Sequence, residues 1–306
     1  MSIFSRRFTG REGFRAKMPL YRSLSLLKPQ QQVAEPFTEI RATSGWKILD
    51  TNALWQYKDL LYFLSLRGIK AKYAQSVLGV GWAIINPLAQ ALIFTVVFGN
   101  LAKLSSDGTP YILFSYTAMV AWTYFSGILT DATGALIRNR EMIGKVYFPR
   151  LVLPMASVLS KLVDFVIAFT LLIGLLGWYG IAPQSTIYMF PVLLLILVLT
   201  SLGLGAFLAA LAVQYRDVQY AMTFLVRVLM YAAPVVYSVS IIPQEWQTAY
   251  ALNPIVGVIE GMRAIFLGSR PFPWEWVGIG GAVSVAIFFI GCLYFRRMER
   301  HFADLA

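Results

Sequence analysis

Long apolar runs separated by short polar connections dominate the 306-residue chain from residue 80 onward. A hydrocarbon layer of about 30 Å takes roughly 20 residues of helix to cross, because only a helix satisfies its own backbone groups in lipid. Six runs meet that length: residues 80–102, 112–130, 151–178, 188–213, 221–240 and 277–295. The pattern predicts an all-α integral membrane protein with six transmembrane helices. A further apolar stretch, residues 254–267, is too short to cross. It suits a re-entrant or interfacial helix pair before the last span. Asn253 followed by Pro254 places a capping side chain ahead of a proline at the first helical position. Glu260 and Arg263, three apart, can pair on one face of that helix, most simply as a surface ion pair.

Ahead of the first span the pattern changes. Residues 1–53 mix basic, polar and proline-containing stretches with little periodicity, which predicts a basic cytosolic extension with partial disorder. Over residues 54–76 the pattern tightens. Tyr62, Leu66, Ile69 and Tyr73 follow i, i+4, i+7 and i+11, one stripe at about 100° per residue. Arg67 and Lys72 lie off that stripe, and Lys70 borders it, where it can snorkel. An amphipathic helix lying along the cytosolic membrane surface is expected here. The leader lacks the compact apolar core and cleavage site of a signal peptide and reads as mature sequence. Residues 77–306 would then form the six-helix domain. No internal repeat is evident, which weakens an inverted-repeat secondary transporter.

Composition agrees, with 58% hydrophobic and 13% charged residues. A net charge of +11 would point a soluble protein toward nucleic acid. Here position and anionic lipid account for it. With both termini cytosolic, the inside pieces carry 21 of the 26 Lys and Arg residues, while the outside loops hold only Lys103, Arg263 and Arg270. The positive-inside rule selects that orientation. No nucleic-acid partner is expected.

The inventory for catalysis is thin. Cys292 is the single cysteine and His301 the single histidine, so no zinc site, two-histidine metal clamp or serine–histidine triad is expected. The chain contains no GxxxxGK[ST] loop, no HExxH and no GxSxG. Ionisable residues at membrane depth are costly and therefore candidates for a role. Lys161 and Asp164 can neutralise each other on one face of the third span. Arg227 in the fifth needs a partner, with Asp131 or a lipid phosphate available. Each also has a purely structural reading, and no chain of acids suggests a proton relay. Trp178, Tyr179, Trp274 and Trp276 suit the membrane interfaces. Tyr116, Trp122, Tyr124 and Phe125 lie deeper, where they either line a path for sugar rings or pack between helices.

Between the second and third spans lies RNREMIGKVYFPRLVLP, with four cations and one acid between Arg138 and Arg150. Such a loop either obeys charge topology alone or offers a handle to a soluble partner. The run LWQYKDLLYFLSLRGIKAKYAQSVLGVGWAIINPLAQALIF, followed by LIRNREMIGKVYFPRLVLPMASVLSKLVDF, resembles the polysaccharide-exporting branch of the type-2 ABC exporter permeases. The resemblance runs over residues 54–298 and includes RDVQ at Arg216 and LNP at Leu252. It implies a homodimer of permease subunits in the bacterial cytoplasmic membrane, surrounded by membrane lipids. Two copies of a separate ATPase would hold ATP and Mg, so this chain is not itself an enzyme. The cargo implied is a lipid-linked polysaccharide: O-antigen, capsule or teichoic acid.

By the same resemblance, Asn139, Arg140, Glu141, Met142, Ile143, Lys145, Val146 and Tyr147 form a coupling helix that sits in a cleft of the ATPase. Met142, Ile143 and Val146 would be its apolar anchors, and Phe148–Pro149 would end it. The leader helix corresponds to a gate helix, carrying Tyr62, Leu66, Ile69, Lys70 and Tyr73. Residues 254–267 correspond to the outside pair that closes the channel. The first 50 residues depart from shorter relatives. Two other readings stand beside this one. An ion- or proton-coupled flippase would use Asp164, Lys161 and Asp131, and a membrane scaffold or enzyme of glycan assembly would act on glycan directly.

Overall fold

The computed structural model describes residues 51–74 and 76–299. Residues 1–50 of the basic extension lie outside them, as does His301, while residues 51–53 belong to a helix. Every regular element of the described residues is helical, with no strand among them. Two helices precede the first span, α1 (Thr51–Gln56) and α2 (Lys58–Tyr73). Next come α3 (Gly81–Phe94), which runs on through a wider π-helical stretch, Thr95–Leu101, and α4 (Tyr111–Thr133). The short helices α5 (Ala135–Arg138) and α6 (Arg140–Lys145) form an elbow ahead of α7 (Val152–Tyr179). A 3-10 turn, Ser185–Met189, leads into α8 (Phe190–Gln214), followed by α9 (Asp217–Ala232). Two short helices, α10 (Gln244–Tyr250) and α11 (Pro254–Phe266), precede α12 (Trp274–Glu299).

Five helical stretches are long and apolar enough to cross a membrane: Gly81–Leu101, Tyr111–Thr133, Val152–Tyr179, Ser185–Gln214 and Trp274–Glu299. The fifth apolar run, residues 221–240, behaves differently. Its helix, α9, has 16 residues, about 24 Å at 1.5 Å per residue. It stops because Pro234 disfavours helical backbone at Ala233, which turns extended at φ −108°, ψ 152°. Ala233, Val235 and Val236 are nevertheless buried, so apolarity continues after the helix has ended.

Most of α4 is buried, and α3, α7, α8, α9 and α11 all pack against it. The core beside it is aromatic: Phe165 of α7 meets Tyr124 and leads into a cluster of Phe169 of α7, Phe190 of α8 and Phe266 of α11, with Phe169 and Phe190 stacked at 4.8 Å. The closest crossing is between α8 and α12. A Cβ on Gly291 would lie 2.0 Å from the Gly203 carbonyl oxygen, so the two backbones touch there. Thr200 and Ser284 hydrogen-bond across the same seam at 2.9 Å, both hydroxyls also serving their own helices.

Helix α11 is buried at every one of its positions. The Asn253 side chain caps it by accepting from the Ile255 N–H, and Pro254 occupies the first turn, as the sequence predicts. Gly257 and Gly261 admit the neighbours closely: added Cβ atoms would lie 2.9 Å from the Trp276 carbonyl and 2.8 Å from Leu193.

Candidate functional site

At the end of the bundle that carries α2, α5, α6 and the close of α12, a second apolar cluster forms around Leu64, Leu136, Phe148, Val152 and Phe295. The elbow is seated on it. Met142 and Ile143 turn inward and pack on this cluster, whereas Glu141, Lys145, Val146 and Tyr147 are exposed. The sequence assigned Met142, Ile143 and Val146 together as outward anchors. The fold separates them: Met142 and Ile143 lie on the inner side of α6, whereas the chain turns extended at Val146 (φ −133°, ψ 134°) after the helix has ended, leaving Val146 (55% exposed) and Tyr147 (64%) as the outward apolar pair.

Hydrogen bonds tie the elbow to its surroundings at both ends. The Arg67 guanidinium of α2 donates to Asn139 Oδ1 at 2.6 Å, and Asn139 in turn donates to the Ala135 carbonyl at 2.8 Å. Tyr57 donates to the Tyr147 carbonyl at 3.2 Å. The Arg150 backbone N–H donates to Glu299 Oε1 at 3.2 Å, joining the far end of the elbow to α12. The gate-helix stripe is placed accordingly. The side of α2 that packs inward runs through Leu60, Leu61, Leu64 and Ser65; Tyr62 (66% exposed) faces out, with Leu66, Ile69 and Tyr73 half-buried between. Lys70 is exposed. The helix is thus apolar on two sides, one for the bundle and one for the surroundings. Arg67, polar and off the stripe, makes the bond that the periodicity did not anticipate.

Further along α2, Lys72 and Tyr73 both reach Asp164 of α7. Burial and the bond to the carboxylate push the Tyr73 hydroxyl above its ordinary value, so it stays a donor. Lys161, three residues before Asp164, pairs with Asp131 of α4 at 2.8 Å and lies 4.0 Å from Asp164. Its stem crosses Gly127, where a Cβ would sit 3.3 Å away. The result is an alternating row of Lys72, Asp164, Lys161 and Asp131 spanning three helices. It corrects one expectation: Asp131 serves Lys161, while Arg227 is exposed on α9 and no ion pair to it appears among the described residues. The row borders an open notch of about 330 Å³ between α2, α3, α4 and α7, onto which Asn86 and Gln90 of α3 also face.

The expectation for Glu260 and Arg263 is overturned by packing. They do pair, at 2.7 Å, but with side-chain exposures of 4% and 1%. Arg263 also donates to the carbonyls of Phe114 at 3.3 Å and Val235 at 3.1 Å and stacks over the Phe114 ring at 3.4 Å. Its burial follows from Pro234. Where α9 ends early, backbone carbonyls lose their helical partners, and the guanidinium supplies donors to one of them. Burial pushes the Arg263 guanidinium down and the Glu260 carboxyl up, while each partner's charge opposes the shift of the other.

Tyr116, Trp122, Tyr124 and Phe125 all lie inside the subunit's own core, 0–4% exposed. The Tyr116 hydroxyl donates to the Ala168 carbonyl at 3.0 Å and that of Tyr124 to Val158 at 3.5 Å. Packing between helices is their role within one subunit. Exposed rings are found elsewhere, at Trp82 on α3 and Tyr220, Phe224 and Tyr231 on α9. No group of three or more metal-ligating side chains occurs among the described residues.

Comparison with known proteins places this architecture. A family model described as ABC-2 type transporter matches residues 59–267, which runs from α2 through α11. An O-antigen export system permease protein, RfbA, of Myxococcus xanthus is 32% identical over 253 residues, covering 82% of this chain and 96% of the relative. A protein of the same name from Klebsiella pneumoniae is 25% identical over 248 residues, 81% of this chain and 95% of the relative. The polysialic acid transport protein KpsM of Escherichia coli is 22% identical over 237 residues, 77% of this chain and 92% of the relative. With its several membrane-crossing helices and a family match over most of its length, the chain belongs to the ABC-2 type transporter family of multi-pass membrane permeases.

Proposed function

We propose that this chain is the transmembrane subunit of an ATP-driven exporter that moves a lipid-linked polysaccharide across the bacterial cytoplasmic membrane. Two copies would enclose the path. Two copies of a separate ATPase, holding ATP and Mg, would dock on the elbow from the cytosol, where both termini of this chain also lie. The cargo class is supported by what the relatives are named for, O-antigen and polysialic acid, and by the near-complete coverage of each relative.

The observation that carries the coupling role is the two-sided seating of the elbow. Its outer side presents Glu141, Lys145, Val146 and Tyr147, a mix of charge and apolar surface suited to a soluble partner. Its inner side is hydrogen-bonded to α2 and α12. A push on the exposed side therefore displaces elements that reach into the bundle, which is what a shift between closed and open populations requires. Beside the elbow, a crevice of about 410 Å³ carries Arg140 and Arg216 on apolar walls and suits an acidic side chain of the ATPase. Helices α10 and α11 form the re-entrant pair at the opposite face, and the short α9 completes six spans together with the buried segment that follows it. Since the deep aromatics are core, the rings offered to the polymer are those of α9 and Trp82.

The test is charge reversal at Arg140 and Lys145 to Glu in the complete transporter. Export of glycan to the cell surface is lost while the subunit still inserts and accumulates. Export and ATPase association that both persist would refute the coupling role. Neutralising Asp131, Lys161 and Asp164 separates the ion-coupled alternative, which requires transport to collapse there while the elbow tolerates change.

A further inference from the structure

Asn86 and Gln90 sit one turn apart on α3, inside a membrane-crossing stretch, and both face the notch. Neither amide has a hydrogen-bond partner among the described residues. Unpartnered amides on a spanning helix are costly, so such groups face water or a ligand. The notch volume, about 330 Å³, falls at the lower end of the roughly 300–1,000 Å³ typical of small-ligand pockets. Trp82, 43% exposed, stands at its rim.

We propose that this notch binds one sugar unit of the glycan through its hydroxyls. The inference rests on the exporter reading and adds to it a recognition site within a single subunit. The charge pattern selects a neutral polyol over an anion. Both ammonium groups at the notch are already engaged, Lys161 by Asp131 at 2.8 Å and Lys72 by Asp164. A phosphate or diphosphate would have to displace them while approaching two carboxylates of its own sign. Sugar hydroxyls meet no such conflict. They donate to Asp131 and the amide oxygens, accept from the amide N–H groups, and leave the apolar ring face to Trp82. Because Lys72 belongs to α2, the same ion pair that borders the site also reports the position of the helix tied to the elbow.

The experiment places a photoreactive benzophenone side chain at position 130, on the α4 wall of the notch, in the full transporter, in cells that make the glycan, in cells that make only the sugar-free carrier lipid, and in cells that make neither. The adduct is probed with a lectin for the glycan and by mass spectrometry for lipid. A glycan-bearing adduct restricted to the first strain supports the site. An adduct with the bare carrier, or with phospholipid alone in all three strains, overturns it in favour of anion or lipid recognition. In parallel, Asn86→Ala with Gln90→Ala lowers export by about tenfold, the scale of one to two lost hydrogen bonds, with ATPase association unchanged. Normal export by this variant also overturns the site. Deleting the whole chain distinguishes the two levels: export that survives deletion removes the exporter reading itself, whereas export that needs the chain but ignores positions 86 and 90 removes only the notch.

Discussion

Arg263→Met takes away the guanidinium that joins α11 to α4 and to the segment after α9. The variant fits the space but forfeits the pair with Glu260 at 2.7 Å, the carbonyls of Phe114 and Val235, and the face of the Phe114 ring. Removing one partner of a buried pair costs about 3–5 kcal/mol, because the remaining charge is stranded. At roughly 2 °C per kcal/mol for a chain of this size, that is a fall in melting temperature of about 6–10 °C. Detergent-solubilised transporter, heated and followed by fluorescence-detected size exclusion, provides the assay. Pairing the change with Glu260→Leu removes the stranded carboxylate and restores a substantial part of the loss. Arg263→Lys does not, since a single ammonium cannot reach both carbonyls and the carboxylate in the guanidinium's fork geometry. A single variant that melts with the parent protein, or a double variant that falls by the sum of its two changes, would refute this role for the arginine.

Other consequences are as direct. Gly291→Ala puts a Cβ 2.0 Å from the Gly203 carbonyl, so α8 and α12 must part by about 1.3–1.6 Å to reach ordinary C···O separation. The expected cost of such overpacking is about 1–3 kcal/mol, read as lower thermal stability and reduced accumulation, whereas Gly278→Ala on the same helix, with nothing within 4 Å, leaves both unchanged. Arg67→Ala and Asn139→Ala, each removing the 2.6 Å bond, reduce glycan-stimulated ATP hydrolysis in the assembled transporter to the same extent. The double variant is no worse than either single one, since coupled residues are not additive. Lys161→Met leaves Asp131 and Asp164 facing the notch without their shared cation, and loses more stability than Lys161→Met combined with Asp131→Asn, measured by the same melting assay.

The long spans were legible because length and apolarity are properties of a stretch, and Gly81–Leu101, Tyr111–Thr133, Val152–Tyr179, Ser185–Gln214 and Trp274–Glu299 hold both. The fifth apolar run misled for a physical reason. Apolarity records removal from water, and Val235 and Val236 are removed from it without being helical; Pro234 was the signal for where the helix ends. The same oversight hid Arg263, since a buried cation became reasonable only once a broken helix had left carbonyls to satisfy. At the elbow, charge and resemblance singled out residues 139–147, but a six-residue helix is too short for periodicity to say that Met142 and Ile143 turn inward, and nothing in the pattern shows that Val146 and Tyr147, beyond its end, turn out. Asn86 and Gln90 could have been found. Two amides at i and i+4 in an otherwise apolar run already share a face, and nothing in an ordinary lipid-facing span calls for them.

The enclosure of α11 on every side limits how this protein can move. A segment with no free surface cannot swing as a flap, because each of its contacts, with Leu193, with Trp276 and with Phe114, would have to be peeled away at once. It travels as ballast, fixed to the helices around it. The interior of this chain around α11 therefore behaves as a solid wall, and any opening would have to form at its uncovered faces.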